Sequence, residues 1–362
     1  LLVHICCAVD SHYFLQKLRE DYPNERLIGF FYDPNIHPYS EYYLRLLEVK
    51  RSCKSLGIEL IEGEYDYQNW LNAVRGLESE PEKGKRCSVC FDRRFLVSAK
   101  MASKLSEKSF TSTLLTSPKK SLEQLKREGE RLAKEYNLTF IAPDYRKKSG
   151  TQEQNILAKE AKLYRQDYCG CIYGLTIQRR EQNRLIDELM SPISKQIQPD
   201  SIEERIELYK KRIELEERQI EYKIIKERFL NWRLKWGVLL SKGETIPAHI
   251  LPYSTLKRNY TRGKVEGFIG DIALLNRDEV KFITLKTYNK ILNRSYSNTK
   301  ELIFNPATFK EELLLRSRLL NSNYDLSALL VVDEIPTQKL ELKLDAKVFE
   351  DVKDSLVVLT NN

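Results

Sequence analysis

The chain has 362 residues, of which 31% are charged and 41% hydrophobic, and it carries a net charge of +8. That length favours about two domains with sizeable cores, and the positive balance suits an anionic partner as a mild bias. No run of about 18 apolar residues occurs, which excludes a membrane-spanning helix, and the first residues lack the basic leader of a signal peptide. A chain that starts with Leu inside an apolar run is expected to be trimmed at its N-terminus. All seven cysteines lie in the first 171 residues. An odd count without a secretory signal argues against a disulfide framework. Metal or redox chemistry in a reducing cytoplasm is expected instead.

Residues 1–192 alternate strand and helix signals. Strand-like runs are Leu1–Cys6, Arg26–Tyr32, Ile58–Ile61, Phe110–Leu115 and Leu138–Ile141. Helical patterns lie between them, at Tyr13–Tyr22, Glu41–Leu56, Tyr67–Leu77, Phe91–Leu105 and Leu122–Tyr136. This alternation predicts an α/β fold, a doubly wound parallel sheet with crossover helices. Ligands in such sheets sit beyond the carboxyl ends of the strands. Cys6 and Cys7 follow the first strand, Asp33 to Pro38 the second, Ser117-Pro118 the fourth and Asp144-Tyr145-Arg146 the fifth. One mouth is expected to collect them.

Residues 193–201 read as a linker, so the expected domains are 1–195 and 196–362. Ser201 and Glu204 have capping-box spacing and open a predicted long helix from Ile202 to about Leu240. Beyond Gly243 the pattern turns strand-rich, at Lys264–Leu274, Val280–Leu285, Ala328–Val332, Lys339–Leu344 and Leu356–Leu359. Leu340, Leu342 and Leu344 fall on one face. A second, α+β domain of unknown role is predicted.

Six cysteines fall in three pairs. Cys87-Ser88-Val89-Cys90 is a C-x-x-C, a spacing that lets two thiolates reach one metal or cluster, and the helix it opens favours thiolate over thiol. In Cys169-Gly170-Cys171 the glycine permits a sharp turn between the sulfurs, so the pair can bind metal or close as a strained, reducible disulfide. Cys6 and Cys7 point to opposite faces in a regular strand and serve one site only if the strand has ended. Asp10, three residues on, adds an oxygen ligand or a proton. Cys53 follows Leu46 and Val49 at helical spacing and is read as a core residue. Thiolates suit zinc and iron–sulfur alike. Six exceed the four of one zinc, which favours a cluster with a second redox element.

With these residues assembled, the N-terminal half resembles the QueH-type epoxyqueuosine reductases of tRNA queuosine biosynthesis. The matching stretches are HICCAVDS, FYDPNIHPYSEYYLR, EPEKGKRCSVCFDRR, STLLTSPKK, DYRKKSG and YRQDYCGCIYG, which run to about residue 175. Val9 departs from the Pro usual in the family, and the tail after about residue 195 is absent from its short members. The resemblance implies a fold similar to the nucleotide-binding adenine-hydrolase class. The glycine loop of that class is replaced here by Cys6-Cys7, so ATP use is not expected. It also implies a 4Fe–4S cluster, assigned to Cys6, Cys7, Cys87 and Cys90. Cys169 and Cys171 are then a redox-active pair or, with or without Asp10, ligands of a second mononuclear iron.

The implied reaction takes the epoxide oxygen from epoxyqueuosine in tRNA, with electrons from an external donor of unknown identity. Asp10, Tyr42 and His37 are the candidate proton donors, and His37 reads equally well as a structural residue of its turn. Arg86, Arg93 and Arg94 beside the C-x-x-C, and Arg146, Lys147 and Lys148 after the fifth strand, are candidate tRNA phosphate contacts. Arg165 is expected to order the site. The rival readings are an ATP-dependent iron–sulfur tRNA thiolase and a non-catalytic zinc-stabilised RNA-binding protein.

Overall fold

A computed structural model describes residues 1–117, 120–147, 149–275, 279–322 and 325–359. The chain forms two compact units, Leu1–Ile186 and Asp187–Asn362.

The first unit alternates β1 (Leu2–Ile5), α1 (Ala8–Asp21), β2 (Ile28–Phe31), α2 (Tyr39–Ser55), β3 (Glu59–Glu62), α3 (Tyr67–Ala73), α4 (Lys85–Lys104), β4 (Ser109–Ser112), α5 (Leu122–Glu135), β5 (Thr139–Phe140), α6 (Gly150–Glu160) and α7 (Ile172–Glu181). The five strands form one sheet in the order β3-β2-β1-β4-β5, and each neighbouring pair is parallel. β1 is central and buried at every position, as expected of a strand covered on both faces. Its His4 stays neutral inside the core: Nδ1 meets Ser112 Oγ at 2.8 Å and Nε2 meets the Tyr32 carbonyl at 3.1 Å. Burial lowers its pKa, and Arg94 adds to the effect. Cys53 is 1% exposed in the same core. Strand order reverses at β1, with β2 on one side and β4 on the other. The carboxyl ends of β1 and β4 therefore border the crevice where this fold class places its ligands.

Phe110–Leu115, read as one strand, divides into β4 and a 3-10 turn over Thr113–Thr116. Ser112 starts that turn, its side chain accepting the Leu114 N–H at 3.2 Å. The two helices after β5, α6 and α7, had no periodic signal strong enough to be read from sequence.

The second unit contains α8 (Ile202–Glu217), β6 (Tyr222–Ser241), β7 (Glu244–Ile246), β8 (His249–Ile250), β9 (Tyr260–Gly263), β10 (Val265–Ile269), β11 (Ile272–Leu275), β12 (Val280–Thr284), α9 (Leu285–Leu292), α10 (Thr299–Phe304), α11 (Phe309–Leu320), β13 (Ala328–Val332) and β14 (Leu340–Val358). It has a five-stranded sheet, β10-β11-β12-β13-β8, and a four-stranded sheet, β7-β6-β14-β9. The predicted helix to Leu240 is corrected here. α8 stops at Glu217, Gln219 takes a positive φ of 56°, and Tyr222–Ser241 is a strand paired along its whole length with β14. The segment is rich in Ile, Phe, Trp and Val, residues that suit a pleated surface, and its alternating charges imitated a helix face. Ser201 caps α8 by accepting the Glu204 N–H at 3.2 Å, while the Glu204 carboxylate takes the Asp200 N–H at 2.6 Å. The 193–201 stretch is packed, not a free linker: Gln196 Nε2 donates to the Ala307 carbonyl at 2.7 Å and to Glu312 at 2.9 Å. Leu340, Leu342 and Leu344 all lie buried on one face, as their alternation requires.

Candidate metal centre and active site

β1 ends at Ile5 and α1 starts at Ala8, so Cys6 and Cys7 occupy the turn between them. Cys7 is extended, with φ −165° and ψ 161°. Cys6 and Cys7 lie beyond the strand end, and both thiols turn to one side: their sulfurs are 3.9 Å apart, and Cys6 Sγ is 3.6 Å from Asp10 Oδ2. The Cys6 N–H donates to Thr113 Oγ1 at 3.2 Å, tying this turn to the one after β4. Gln154, on α6, donates to Asp10 Oδ1 at 2.7 Å. α6 begins at Gly150, where a Cβ would lie 1.8 Å from the Tyr145 carbonyl oxygen. That glycine is the reason the chain can turn tightly enough to present Gln154.

The C-x-x-C lies in the first turns of α4. Cys87 Sγ accepts the Lys83 N–H at 3.3 Å, and Cys90 is buried in a small core with Trp70, Val74 and Cys171, with Cys169 packed against it. The C-G-C pair sits on a turn held from α2. Arg45 donates to the Tyr168 carbonyl at 3.0 Å and the Cys169 carbonyl at 3.3 Å. The Gly170 carbonyl accepts the His37 N–H at 2.8 Å. Gly170 has φ +100°, and a Cβ there would fall 2.7 Å from Ile36 Cγ1, so only glycine fits between the two cysteines.

All three pairs, with Asp10, line one cavity of about 370 Å³, a size suited to a small-molecule or cofactor site. Among the described residues, only Cys6, Cys7 and Asp10 bring three metal-ligating atoms within 4.8 Å of one another. The sequence places Asp33 and Ser117 at this mouth and names Arg86, Arg94 and Arg165, which also line the cavity, but it gives no role to Lys120 or Asn35. Lys120 has Nζ 3.0 Å from Glu82 Oε1 and 5.8 Å from the centre of the Phe91 ring. Burial opposes its charge, but Cys169 and Glu82 outweigh burial and keep it a cation. Asp33 Oδ2 and Asn35 Oδ1 are buried acceptors without a hydrogen-bond partner, and both residues line the cavity. Asp33 and Asn35 belong to the quoted FYDPN stretch, and Lys120 to STLLTSPKK. A polar residue just past a strand end was the available signal for them.

Burial governs the thiols. It pushes Cys87 and Cys90 up, against the pull of Lys83 and Lys120 on the first and of Arg94 on the second. Cys7 is raised by its bond with Cys6 and by burial. Asp10 is raised by burial against the bonds from both thiols and Gln154. The C-G-C pair splits: the bond from Cys171 lowers Cys169, with Lys120 helping, while Cys171 is raised by the same bond.

Most of the expected phosphate contacts are committed elsewhere. The Arg86 guanidinium is buried, donating from Nη1 to the carbonyls of Leu77, Glu78 and Glu80 at 3.2, 2.8 and 2.5 Å. Arg94 is buried against Asp33, and Arg93 pairs with Asp66 at 2.5 Å. Arg146 donates to the carbonyls of Ser117 and Lys120 at 3.2 and 3.0 Å, which fastens the loops after β4 and β5. Lys147 is 79% exposed, and Lys148 lies outside the described residues. Tyr42 and His37 do not line the cavity: the Tyr42 hydroxyl donates to the Gly63 carbonyl at 3.4 Å, and the His37 ring stacks on Tyr67. Arg165 lines the cavity and is held by Asn155. No described helix is long and apolar enough to cross a membrane.

The family profile described as "Epoxyqueuosine reductase QueH" matches residues 1–177. The protein of that name from Helicobacter pylori is 39% identical across 98% of this chain and 99% of its own length. Its likeness thus runs through both compact units, so the second unit also occurs in a relative of that name. The relative from Haemophilus influenzae is 38% identical over 52% of this chain and 75% of its own. The one from Thermotoga maritima is 34% identical over 51% of this chain and 93% of its own.

Proposed function

The chain belongs to the QueH family of epoxyqueuosine reductases, and on that premise we propose that it is an oxidoreductase converting epoxyqueuosine in tRNA to queuosine. The reaction breaks the C–O bonds of the epoxide and leaves an alkene and water. It consumes two electrons and two protons, the electrons coming from an external donor. The observation that carries this reading is the convergence of six thiols, four carboxyls (Asp10, Asp33, Glu82 and Asp167) and one lysine ammonium on a single cavity at the carboxyl ends of the strands. The Ile5–Ser11 stretch contains no glycine, which speaks against the pyrophosphate cradle an ATP-dependent thiolase needs.

The donor set fits iron–sulfur chemistry. Buried thiols held protonated by desolvation lose their protons readily to a metal, whose charge reverses the penalty. The six thiols divide most simply into two groups. Cys87, Cys90, Cys169 and Cys171 would hold a 4Fe–4S cluster, a division supported by the packing of Cys90, Cys169 and Cys171 in one small core. Cys6, Cys7 and Asp10 would hold a second iron, supported by the closeness of their ligand atoms. This differs from the set Cys6, Cys7, Cys87 and Cys90 expected from the resemblance. When bound, such groups supply electrons one at a time and a Lewis acid for an oxygen.

The chain's own residues handle binding and protons. Asp33 Oδ2 and Asn35 Oδ1 offer acceptors to hydroxyl or amine donors of the substrate. Gln154 orients Asp10 as a ligand, and Lys120, kept cationic by Cys169 and Glu82, is the acid placed to protonate the departing oxygen. Among the described residues, the exposed Lys147, 3.9 Å from Asp144, is the phosphate-contact candidate beside the mouth that is not buried in loop contacts.

The test is anaerobic incubation of the iron-loaded protein with epoxyqueuosine-containing tRNA and a chemical reductant, without ATP, followed by nucleoside mass analysis. Queuosine should replace epoxyqueuosine. An unchanged nucleoside, or turnover only with ATP, overturns the reading.

A further inference from the structure

The second unit carries an exposed sheet face with the make-up of a single-stranded RNA platform. In the four-stranded sheet, Leu239, Leu342, Leu344 and Thr261 face the core. Pleating turns their neighbours outward. The register sets Tyr260 beside Lys343, Arg262 beside Glu341, and Trp236 beside Asp345. Trp236 is 48% and Tyr260 46% exposed. They sit two strands and one pleat repeat apart, roughly 12 Å from strand spacing and rise. That is too far for the rings to stack on each other, so each leaves a π-face open.

The charge around them is one-sided. The segment Lys257-Arg258-Asn259-Tyr260-Thr261-Arg262-Gly263-Lys264 holds four cations and no acid, and Lys257, Arg258, Arg262 and Lys264 are exposed. Arg262 pairs with Glu341 at 3.2 Å, and Asp345 is taken by Lys235 at 2.5 Å. No ion pair among the described residues engages Lys257, Arg258, Lys264 or Lys343. Farther along the same ribbon the charges cancel, with Lys226 on Asp354 and Arg228 on Glu350. The cation surplus is thus confined to the place where the rings are exposed. Stacking rings interleaved with unpaired cations bind unpaired nucleotides, the rings taking base faces and the cations phosphates. A protein-binding patch would favour depletion of lysine at its centre, and here Lys343 lies between the two rings.

We infer that this face binds a single-stranded segment of the tRNA, stacking one base on Trp236 and another on Tyr260. The inference rests on the tRNA substrate proposed above and names a second contact for it, on the unit that carries none of the cysteines.

The test uses the full-length protein, an unmodified tRNA transcript and an oligouridylate competitor, with no turnover required. Trp236→Ala and Tyr260→Ala should each raise the Kd for tRNA about ten-fold, the size of one lost base stack. Trp236→Phe should keep most of the affinity, and Phe304→Ala, an exposed ring elsewhere in the unit, should keep all of it. Oligouridylate should compete for the native protein and not for the double variant. The Lys257→Gln/Arg258→Gln pair should lower the slope of log K against log salt by about 1.4. An unchanged Kd in the double alanine variant overturns the proposal. So does loss of self-association by that variant, seen in sedimentation, with RNA affinity intact, because the face is then a protein contact. A protein that binds RNA through this face yet fails to reduce epoxyqueuosine keeps the platform and loses the reductase reading.

Discussion

Arg45→Met tests whether the C-G-C turn is held from α2. Arg45 and Glu41 lie one turn apart on that helix, with Nε and Oε1 2.7 Å apart and side chains 3% and 0% exposed. The second carboxylate oxygen of Glu41 accepts the Tyr164 hydroxyl at 2.9 Å. The two free ends of the guanidinium reach the carbonyls of Tyr168 and Cys169. Methionine keeps the aliphatic part of the side chain and removes the charge, leaving Glu41 buried with one neutral donor. Breaking a buried pair in this way costs about 3–5 kcal/mol, a large share of a typical total stability of about 5–15 kcal/mol. For a urea slope of about 2.5 kcal/mol/M the midpoint should fall by about 1.5 M. Glu41→Gln/Arg45→Met removes the stranded charge and should recover most of the loss in stability, but not the lost grip on the turn. Iron retained after anaerobic loading and desalting should therefore stay low in both variants. A change below about 1 kcal/mol in Arg45→Met, or a double variant no more stable than the single, refutes the reasoning.

Other expectations follow from the same geometry. Cys87→Ser should abolish both the visible absorbance of the iron-loaded protein and turnover; full activity would remove Cys87 from the metal set. Asp10→Asn should lower the iron retained after anaerobic loading and, with it, turnover; unchanged iron content and rate would remove Asp10 from the metal set. Gly170→Ala forces a side chain into a left-handed backbone, about 1–2 kcal/mol, and overpacks Ile36, about 1–3 kcal/mol more; an unaltered melting temperature would contradict it. His12 is buried against Ser52 at 2.9 Å, and burial, with Arg51, lowers its pKa. The unfolded chain then takes up a proton near pH 6.5 that the fold resists. Its contribution is complete above that pH and lost progressively below it. His12→Gln should flatten the acid limb of the stability curve relative to native protein, and parallel curves would refute the linkage.

The parallel sheet was legible because its strands are short, largely apolar at the centre of the sheet and separated by helix-length segments, so Leu2–Ile5 and Ile28–Phe31 had few other ways to be buried. The cysteine pairs were legible for a related reason. Each lies where a strand or turn has ended, and the rule that ligands gather at strand carboxyl ends brings such places together. What the pattern concealed was anything decided by partners distant in sequence. Tyr222–Ser241 carries charges at helix-like intervals, and its strand state depends on pairing with Leu340–Val358, more than a hundred residues on. Arg86, Arg94 and Arg146 stand among the motifs as cations should stand around an RNA site. Whether a guanidinium faces solvent or closes on loop carbonyls depends on where those carbonyls lie, and no local pattern records that.

The same limit explains why Lys120 and Arg45 went unnoticed while the cysteines did not. A thiol pair announces its chemistry through spacing alone. A buried lysine or arginine acquires its role only from the carboxylate or carbonyl that the fold sets against it: Glu82 for Lys120, and Glu41 with the Cys169 carbonyl for Arg45. The division of six thiols proposed above has the same character. Sequence spacing pairs Cys6 with Cys7, Cys87 with Cys90 and Cys169 with Cys171, but it carries no information on which pairs share a wall of the cavity. The shared small core of Cys90, Cys171 and Trp70 supports that proposal.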